Sequence, residues 1–245
     1  MKTNLEWLLY AKTGKFKYNV SDAKRAIEKA LDTGRNFYTS VSFGKDSSVM
    51  LRLILDIKPD IPVLYMNSGY ALPDTNEYYA KIKEEWNLNM IELPAQVDYI
   101  ELCQEFGLPH LRSSQTQKKV VQFLKKNRAS NWAVENGYTG LFWGIRADES
   151  KGRNHLCKSN PNGILDKNDI LRIAPLAKWK ARDVWAYIFS TKMPYNKLYD
   201  HENCGYTRET IRNTGWLSTD GETNGYIEWI KKNYPEQYVK LRELL

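Results

Sequence analysis

One short stretch combines a flexible backbone position with charged and hydroxyl side chains: Ser42-Phe43-Gly44-Lys45-Asp46-Ser47-Ser48. A short β-rich run precedes it, and a run with helical spacing of apolar residues follows. A turn from strand to helix favours anions, because the first N–H groups of a helix are unpaired and its dipole attracts negative charge there. Gly44 permits close backbone approach or a positive φ, Lys45 adds positive charge, and Asp46 can cap the helix. We therefore predict a phosphate site at this 42–48 loop, with an ordinary helix cap as the alternative.

The 42–48 loop is not one of the two commonest phosphate loops. It lacks the G-x-x-x-x-G-K-[ST] spacing of a Walker A loop and the G-x-G-x-x-G spacing of a dinucleotide fingerprint. The residues of the loop alone therefore indicate an anion but not which nucleotide carries it.

The three cysteines, Cys103, Cys157 and Cys204, are far apart in the sequence and odd in number. Neither a C-x-x-C motif nor an adjacent pair occurs, so the spacing argues against a zinc ribbon and an iron–sulfur cluster. We expect free thiols in a cytoplasmic protein.

Alternating element types predict an α/β fold that positions the loop. Strands at 36–42, 63–66 and 89–93 are separated by helices at 48–57 and about 73–86, which is the pattern of a parallel sheet with right-handed crossovers. The remaining elements are predicted as follows: a capped helix at 21–33, a helix at 99–107, a basic helix at 115–136, a strand at 137–144, a polar loop at 145–169, a short strand or extended segment at 170–176, a helix at 181–190 that Asp183 caps, a loop-rich stretch at 200–225, and one or two terminal helices broken at Pro235.

Composition sets broad limits on the function. The chain has 245 residues, 42% of them hydrophobic, which suits one α/β domain with or without a small appendage. Its net charge of +7 fits either an anionic partner, such as a nucleotide or nucleic acid, or a solvated lysine surface. Neither a signal peptide nor a membrane span is apparent, so we expect a cytoplasmic protein without a membrane partner.

Four segments in order resemble one superfamily. Ser42-Phe43-Gly44-Lys45-Asp46-Ser47 is similar to the PP-loop of the adenine nucleotide α-hydrolase-like proteins. Within this superfamily, the loop resembles more specifically the branch that holds phosphoadenylyl-sulfate (PAPS) reductase, the small subunit of sulfate adenylyltransferase, and the ATP pyrophosphatases of DNA phosphorothioation. The other segments are VLYMNSGYALPDTNEYY (63–79), WGIRADESKGR (143–153, with Gly144, Arg146, Glu149, Ser150 and Arg153 in the family's positions) and the stretch 172–200.

The resemblance implies a parallel-sheet, Rossmann-like PP-loop domain at 1–200 and a C-terminal lid or tail extension, loop-rich and helical, at 201–245. It also implies an adenine nucleotide, bound as ATP with Mg²⁺ or as PAPS. The nucleotide- and phosphate-binding residues it implies are Ser42, Phe43, Gly44, Lys45, Asp46, Ser47, Ser48, Asn67, Ser68, Gly69, Gly144, Arg146, Glu149 and Arg153. Lys45, Arg146 and Arg153 would be catalytic. The alternative for both arginines is surface salt bridging with Asp148 and Glu149, and for Trp179 and Trp185 packing is the favoured role.

Two departures from the family pattern bear on the chemistry. Asn67-Ser68-Gly69 stands where members often carry Asp-Thr-Gly, which leaves metal or ribose recognition there open. The reductases use a cysteine in a C-terminal E-C-G-x-H, whereas Cys204 has only the following glycine. An inert or merely buried cysteine is the favoured interpretation of Cys204.

Three functions follow. The first is an ATP pyrophosphatase or adenylyltransferase that cleaves ATP between the α and β phosphates. The second is a sulfonucleotide reductase that uses Cys204 and is recycled by thioredoxin or glutaredoxin. The third is a nucleotide-binding regulator or nucleic-acid-associated partner without turnover. Basic residues at 118–128 suit a nucleic-acid backbone or the 3′-phosphate of PAPS, with a solvated helix as the favoured alternative, and we expect a homo-oligomer.

Overall fold

A six-stranded sheet organises the part of the chain that the structure describes, which is residues 4–67, 69, 71–94, 99–107, 113–121, 127–213 and 225–242 of a computed structural model. The strands are Phe37–Val41 (β1), Val63–Asn67 (β2), Met90–Pro94 (β3), Gly140–Trp143 (β4), Ile164–Leu165 (β5) and Leu171–Ile173 (β6). Their order is β3-β2-β1-β4-β6-β5, and only the β5–β6 pair is antiparallel. The predicted α/β fold with a mostly parallel sheet is confirmed.

Helices cover the sheet. They are Asn4–Ala11 (α1), Gly14–Leu31 (α2), Lys45–Leu55 (α3), Pro73–Glu85 (α4), Tyr99–Phe106 (α5), Ser114–Val121 (α6), Asn127–Glu135 (α7), Lys151–Ser159 (α8), Ala181–Thr191 (α9), Tyr226–Asn233 (α10) and Pro235–Arg242 (α11). Successive side chains of β1 point to opposite faces, so Phe37 and Val41 join the larger core cluster and Tyr38 joins a second cluster. Burial on both faces explains the apolar strands that the sequence displays.

Two predictions of secondary structure are wrong. The helix expected at 21–33 begins at Gly14, because the Thr13 side chain accepts the Phe16 N–H and caps the helix there. The polar loop expected at 145–169 contains α8 and β5. Ser150 caps α8 by accepting the Arg153 N–H, so a local hydrogen bond starts a helix that has too few apolar residues to show a hydrophobic period.

The start of α9 and the packing of its tryptophan agree with the sequence. Asp183 accepts the Lys180 N–H at 2.7 Å, as the predicted cap requires. Trp185 is fully buried, and its ring stacks on Trp7 of α1 with centroids 5.6 Å apart. Trp179 is also buried, so packing is the role of both predicted tryptophans.

The strand order predicts a crevice at the carboxyl end of β1. This strand pairs with β2 on one side and with β4 on the other, although the chain enters β2 first and returns to β4 much later. Such a reversal of strand order is where open α/β sheets bind ligands. The 42–48 loop follows β1 directly, and the turn that carries Arg146 follows β4.

Candidate active site at the carboxyl ends of β1 and β4

The 42–48 loop ends in the helix N-terminus that the sequence predicts. Gly44 is the N-cap of α3 in an extended conformation. The Ser47 hydroxyl donates to the Gly44 carbonyl at 3.1 Å and accepts the Ser42 N–H at 3.2 Å, which closes the loop. Ser42 is exposed, whereas Ser47 and Ser48 are buried. The first turn of α3 thus begins at the carboxyl end of β1, and Ser42 is the exposed serine of the loop.

Phe43 gives the loop its shape. Its φ is 54°, a left-handed conformation that bulky residues adopt only when their surroundings hold them there. Its ring is fully buried and lies 5.1 Å from the ring of Tyr65 and 5.0 Å from that of Tyr79. The Phe43 ring therefore packs in the core and the aromatic cluster fixes the turn, while phosphate binding at this position stays a prediction.

Two glycines allow close approaches around the loop. A Cβ on Gly144 would lie 2.8 Å from the Ser47 Cα, so only glycine lets the end of β4 pass against α3. A Cβ on Gly44 would lie 3.2 Å from the Tyr199 hydroxyl. Of the two roles expected for Gly44, close approach is the one observed, since its φ is −81°.

Arg146 is buried between two carboxylates. Its side chain is 5% exposed, with Nε 2.7 Å from Asp46 Oδ1 and Nη1 3.1 Å from Asp148 Oδ1. The prediction that Asp46 caps α3 is wrong, because this ion pair holds its carboxylate. The Arg146–Asp46 contact lacks hydrogen-bond geometry, so Nε and Oδ1 have no hydrogen-bond partner among the described residues. These two buried atoms thus pair as opposite charges without a hydrogen bond.

Glu149 joins both predicted arginines. Its carboxylate accepts the Arg146 backbone N–H at 2.8 Å and forms an ion pair with Arg153. The Arg153 side chain is 42% exposed. Salt bridging, the alternative for these arginines, is present with Asp148 for Arg146 and with Glu149 for Arg153. Anion binding by them stays a prediction.

Lys45 is buried beneath the C-terminal segment. Its Nζ donates to the Ile211 carbonyl at 3.4 Å, lies 3.4 Å from Asp46 Oδ2, and lies 5.1 Å from the centre of the Tyr199 ring. The backbone N–H of Lys45 donates to the Tyr199 hydroxyl at 3.0 Å. Burial raises the pKa of Tyr199, which keeps this hydroxyl neutral. Both Lys45 contacts with oxygen are long, so a phosphate oxygen can compete for its ammonium group.

The Glu92 side chain places a carboxylate beside Asn67. The Asn67 amide donates to Glu92 Oε1 at 2.6 Å, and the Gly69 N–H donates to Asn67 Oδ1 at 2.9 Å. A hydrogen bond from the Tyr79 hydroxyl lowers the pKa of Glu92, which favours its ionised form. Ser68 lies outside the described residues. A carboxylate of the neighbouring strand thus lies within hydrogen-bond distance of Asn67, and metal or ribose recognition there stays open.

A chain of hydrogen bonds that sequence reasoning missed ties the 42–48 loop to distant segments. Asn213 donates to the Ser42 carbonyl at 2.7 Å and accepts from Thr75 Oγ1 at 2.6 Å. Asn196 donates to Thr75 Oγ1 at 2.8 Å and to the Phe43 carbonyl at 3.4 Å. Thr75 and Asn196 lie within the matching family segments, which was the signal available for them.

Cys204 is exposed and lies in a turn with φ of 51°. Its carbonyl is 3.9 Å from where a Gly225 Cβ would be, at the start of α10. Of the favoured interpretation, an inert or merely buried cysteine, burial is therefore wrong, and inertness stays a prediction. Its role as a nucleophile stays a prediction.

Other predicted features are placed as follows. The basic stretch 118–128 spans the end of α6 and the start of α7, with residues 122–126 outside the described ranges; Lys119 is exposed. No helix within the described ranges is long and apolar enough to cross a bilayer. Within the same ranges, no three His, Cys, Asp or Glu side chains converge on a metal-sized site.

Comparison with known proteins identifies relatives over most of the chain. The sequence profile of the phosphoadenosine phosphosulfate reductase domain matches residues 36–228. An adenosine 5′-phosphosulfate reductase from Geobacillus kaustophilus is 27% identical over 172 residues, 68% of each chain. A phosphoadenosine 5′-phosphosulfate reductase from Aliivibrio salmonicida is 29% identical over 84% of this chain and 75% of its own.

Solved structures show the same fold. PAPS reductase from Candida auris, in a phosphate complex, superposes with a TM-score of 0.57 at 20% identity, covering 73% of this chain and 84% of its own. FMN adenylyltransferase from Candida glabrata with ATP gives 0.54 at 15% identity, covering 81% and 66%. A U34-tRNA thiolase from Methanococcus maripaludis with a [4Fe-4S] cluster gives 0.54 at 17% identity, covering 94% and 81%.

Proposed function

Because the chain belongs to the phosphoadenosine phosphosulfate reductase domain family, whose named relatives are enzymes, we propose that it binds ATP at the 42–48 loop and cleaves it between the α and β phosphates. The observation that carries this proposal is the meeting of three positive groups around Asp46: the α3 N-terminus, Lys45 and Arg146. This chemistry needs positioning and positive charge rather than a covalent nucleophile. We prefer it to reduction because Cys204 lacks the flanking glutamate and histidine of the reductases.

The site residues take distinct roles in the proposed reaction. The N–H groups of α3 and the Lys45 ammonium bind nonbridging phosphate oxygens, and Arg146, held in place by Asp46 and Asp148, adds a rigid positive charge. An oxygen of the acceptor attacks the α-phosphorus, the bond from this phosphorus to the bridging oxygen breaks, and pyrophosphate leaves with that electron pair. Mg²⁺ enters as part of the MgATP substrate, and Asp46 is the carboxylate at the loop. The acceptor is sulfate, a nucleic acid or a small molecule.

We further propose that residues 201–245 act as the cover of this site. Asn213 bonds to Ser42, the Ile211 carbonyl accepts from Lys45, and Arg212 bonds to the Glu149 carbonyl. These contacts support a cover that must loosen its hold on Lys45 when phosphate arrives.

The test is the product spectrum from MgATP. We expect pyrophosphate together with the adenylylated acceptor, or with AMP where water is the acceptor, and turnover reduced at least about 100-fold in Lys45→Ala, as for loss of one electrostatic group. Lys29→Ala, which removes an exposed lysine on α2, is the matched control and should retain full activity. Release of ADP and phosphate, or no cleavage with any acceptor class, would contradict the proposal.

A sulfonucleotide reductase is the second candidate, favoured by the exposure of Cys204 and by the names of the relatives. In that reaction the Cys204 thiolate attacks the sulfur of the sulfonucleotide, the bond between sulfur and the phosphate oxygen breaks, and the nucleotide leaves. A thiol of thioredoxin or glutaredoxin then attacks the cysteine sulfur and releases sulfite. Undiminished sulfite release by Cys204→Ser excludes this candidate.

A regulator, the third possibility, requires tight nucleotide binding without product, and sustained pyrophosphate release excludes it.

A further inference from the structure

Arg212 lies where the C-terminal segment crosses the 42–48 loop. The residues on both sides of it contact the loop: the Ile211 carbonyl accepts from Lys45 Nζ, and the Asn213 amide donates to the Ser42 carbonyl. The Tyr226 hydroxyl donates to the carbonyl of Arg212 itself. The backbone that carries this side chain is therefore held over the loop.

The guanidinium group of Arg212 reaches the second cationic part of the site. Its Nη2 donates to the Glu149 carbonyl at 3.1 Å. The Glu149 carboxylate is the one that pairs with Arg153 and accepts the Arg146 N–H. Arg212 thus spans the gap between the 42–48 loop and the turn at 146–150.

A comparison of the four cations around the loop separates Arg212 from the others. Lys45 lies beside Asp46, Arg146 lies between Asp46 and Asp148, and Arg153 pairs with Glu149. These three cations are neutralised by carboxylates of the protein. Arg212 is exposed and forms no ion pair with the described carboxylates. Among the described residues, its guanidinium group donates one hydrogen bond, to the Glu149 backbone carbonyl. An external anion can therefore pair with Arg212 without displacing an acidic side chain.

We infer that Arg212 is a substrate-binding residue that contacts nonbridging oxygens of the pyrophosphate part of the nucleotide, an inference that rests on the proposed function. The guanidinium fork suits two phosphate oxygens at once, and its bonds to an anion are charge-assisted. The residue belongs to none of the segments that carry the family resemblance, so sequence reasoning gave it no role.

The test compares Arg212→Gln and Arg212→Lys with the parent protein, and with Arg25→Gln, which removes an exposed arginine on α2. Calorimetry measures the binding of inorganic pyrophosphate and of MgATP to each. We expect Arg212→Gln to weaken both roughly 10- to 100-fold, the loss of one or two charge-assisted hydrogen bonds. Arg212→Lys should recover part of the affinity, because charge returns without the fork, and Arg25→Gln should bind as the parent does.

Thermal unfolding with and without pyrophosphate separates ligand binding from a structural tie to Glu149. A tie alone lowers the unfolding temperature of Arg212→Gln but leaves the increase caused by pyrophosphate unchanged, and that result would overturn the inference. Unchanged pyrophosphate affinity, or no pyrophosphate binding by the parent protein, would overturn it too. If Arg212→Gln weakens pyrophosphate binding while the parent releases no pyrophosphate from MgATP with any acceptor class, the proposed function fails and the role of Arg212 stands.

Discussion

The two walls of the crevice are built differently. The wall formed by the 42–48 loop and the end of β4 depends on steric contacts: Phe43 is buried in a left-handed conformation, and Gly144 lies against the backbone of Ser47. The wall formed by residues 196–213 is tied to the loop by side-chain hydrogen bonds from Asn196 and Asn213. Steric contacts in a close-packed interior do not change with a ligand. The Asn213 bond to Ser42 is exposed, and an exposed hydrogen bond exchanges with water at little net cost, whereas Asn196 is buried. We therefore expect the second wall to adapt to substrate at Asn213.

The largest loss of stability is expected for Arg146→Gln, which removes the ion pairs of the wall formed by the 42–48 loop and the end of β4. Asp46 would lose its arginine partner, and removal of one member of a buried pair costs about 3–5 kcal/mol. We expect a decrease of that order in the free energy of unfolding, measured by urea denaturation, together with loss of pyrophosphate release.

The control for that prediction is the double variant Arg146→Gln/Asp46→Asn. Removing the unpaired charge should return part of the stability but none of the activity. If the two single effects simply add, the pair at 2.7 Å is not coupled and the account of this wall is wrong.

A smaller loss of stability is expected for Gly144→Ala. The new Cβ would lie 2.8 Å from the Ser47 Cα, and backbone must shift to admit it, at a cost of about 1–3 kcal/mol. Gly152→Ala is the matched variant, because it adds the same methyl group within α8 where no atom lies within 4 Å. It should be stabilising by about 0.5–1 kcal/mol. Equal urea midpoints for the two variants would refute the close approach.

In the wall formed by residues 196–213, Asn213→Ala should cause a smaller loss of stability. Loss of the bonds to Ser42 and Thr75 should lower the free energy of unfolding by only about 1 kcal/mol, since water can replace them. The KM for MgATP should rise, because the 42–48 loop loses a support. A loss of stability as large as that of Arg146→Gln would show that both walls are equally rigid.

The smallest effect concerns alkaline pH. Burial raises the pKa of Tyr65, in the aromatic cluster around Phe43, to about 12, and does the same for Tyr38 on the other face of the sheet. A pKa raised in the folded state gives stability that is complete below the unfolded value near 10 and is lost as the pH rises from there to about 12. Urea midpoints should therefore fall between pH 10 and 12. Tyr65→Phe should make this fall less steep, and an unchanged slope would contradict the shift.

The sequence predicts one wall far better than the other. The strands were found because their apolar runs are buried on both faces, and Lys45 and Arg146 were found because they lie in recognisable segments. The prediction that Asp46 caps α3 is wrong, because its carboxylate pairs with Arg146, which is a hundred residues away in the chain and could not be paired with it from the sequence. The same distance hides the second wall: nothing local to Arg212 or Asn213 indicates that residues 211–213 return to the 42–48 loop.

The most direct test of the central claim, that this loop binds the phosphates of ATP, is calorimetric binding of MgATP and of PAPS to one preparation and to Lys45→Ala. We predict tighter binding of MgATP than of PAPS by the parent protein, and loss of that binding in the variant. Tighter binding of PAPS would contradict the choice of nucleotide and direct the next experiment to Cys204. Binding of MgATP that survives Lys45→Ala unchanged would contradict the role of the loop itself.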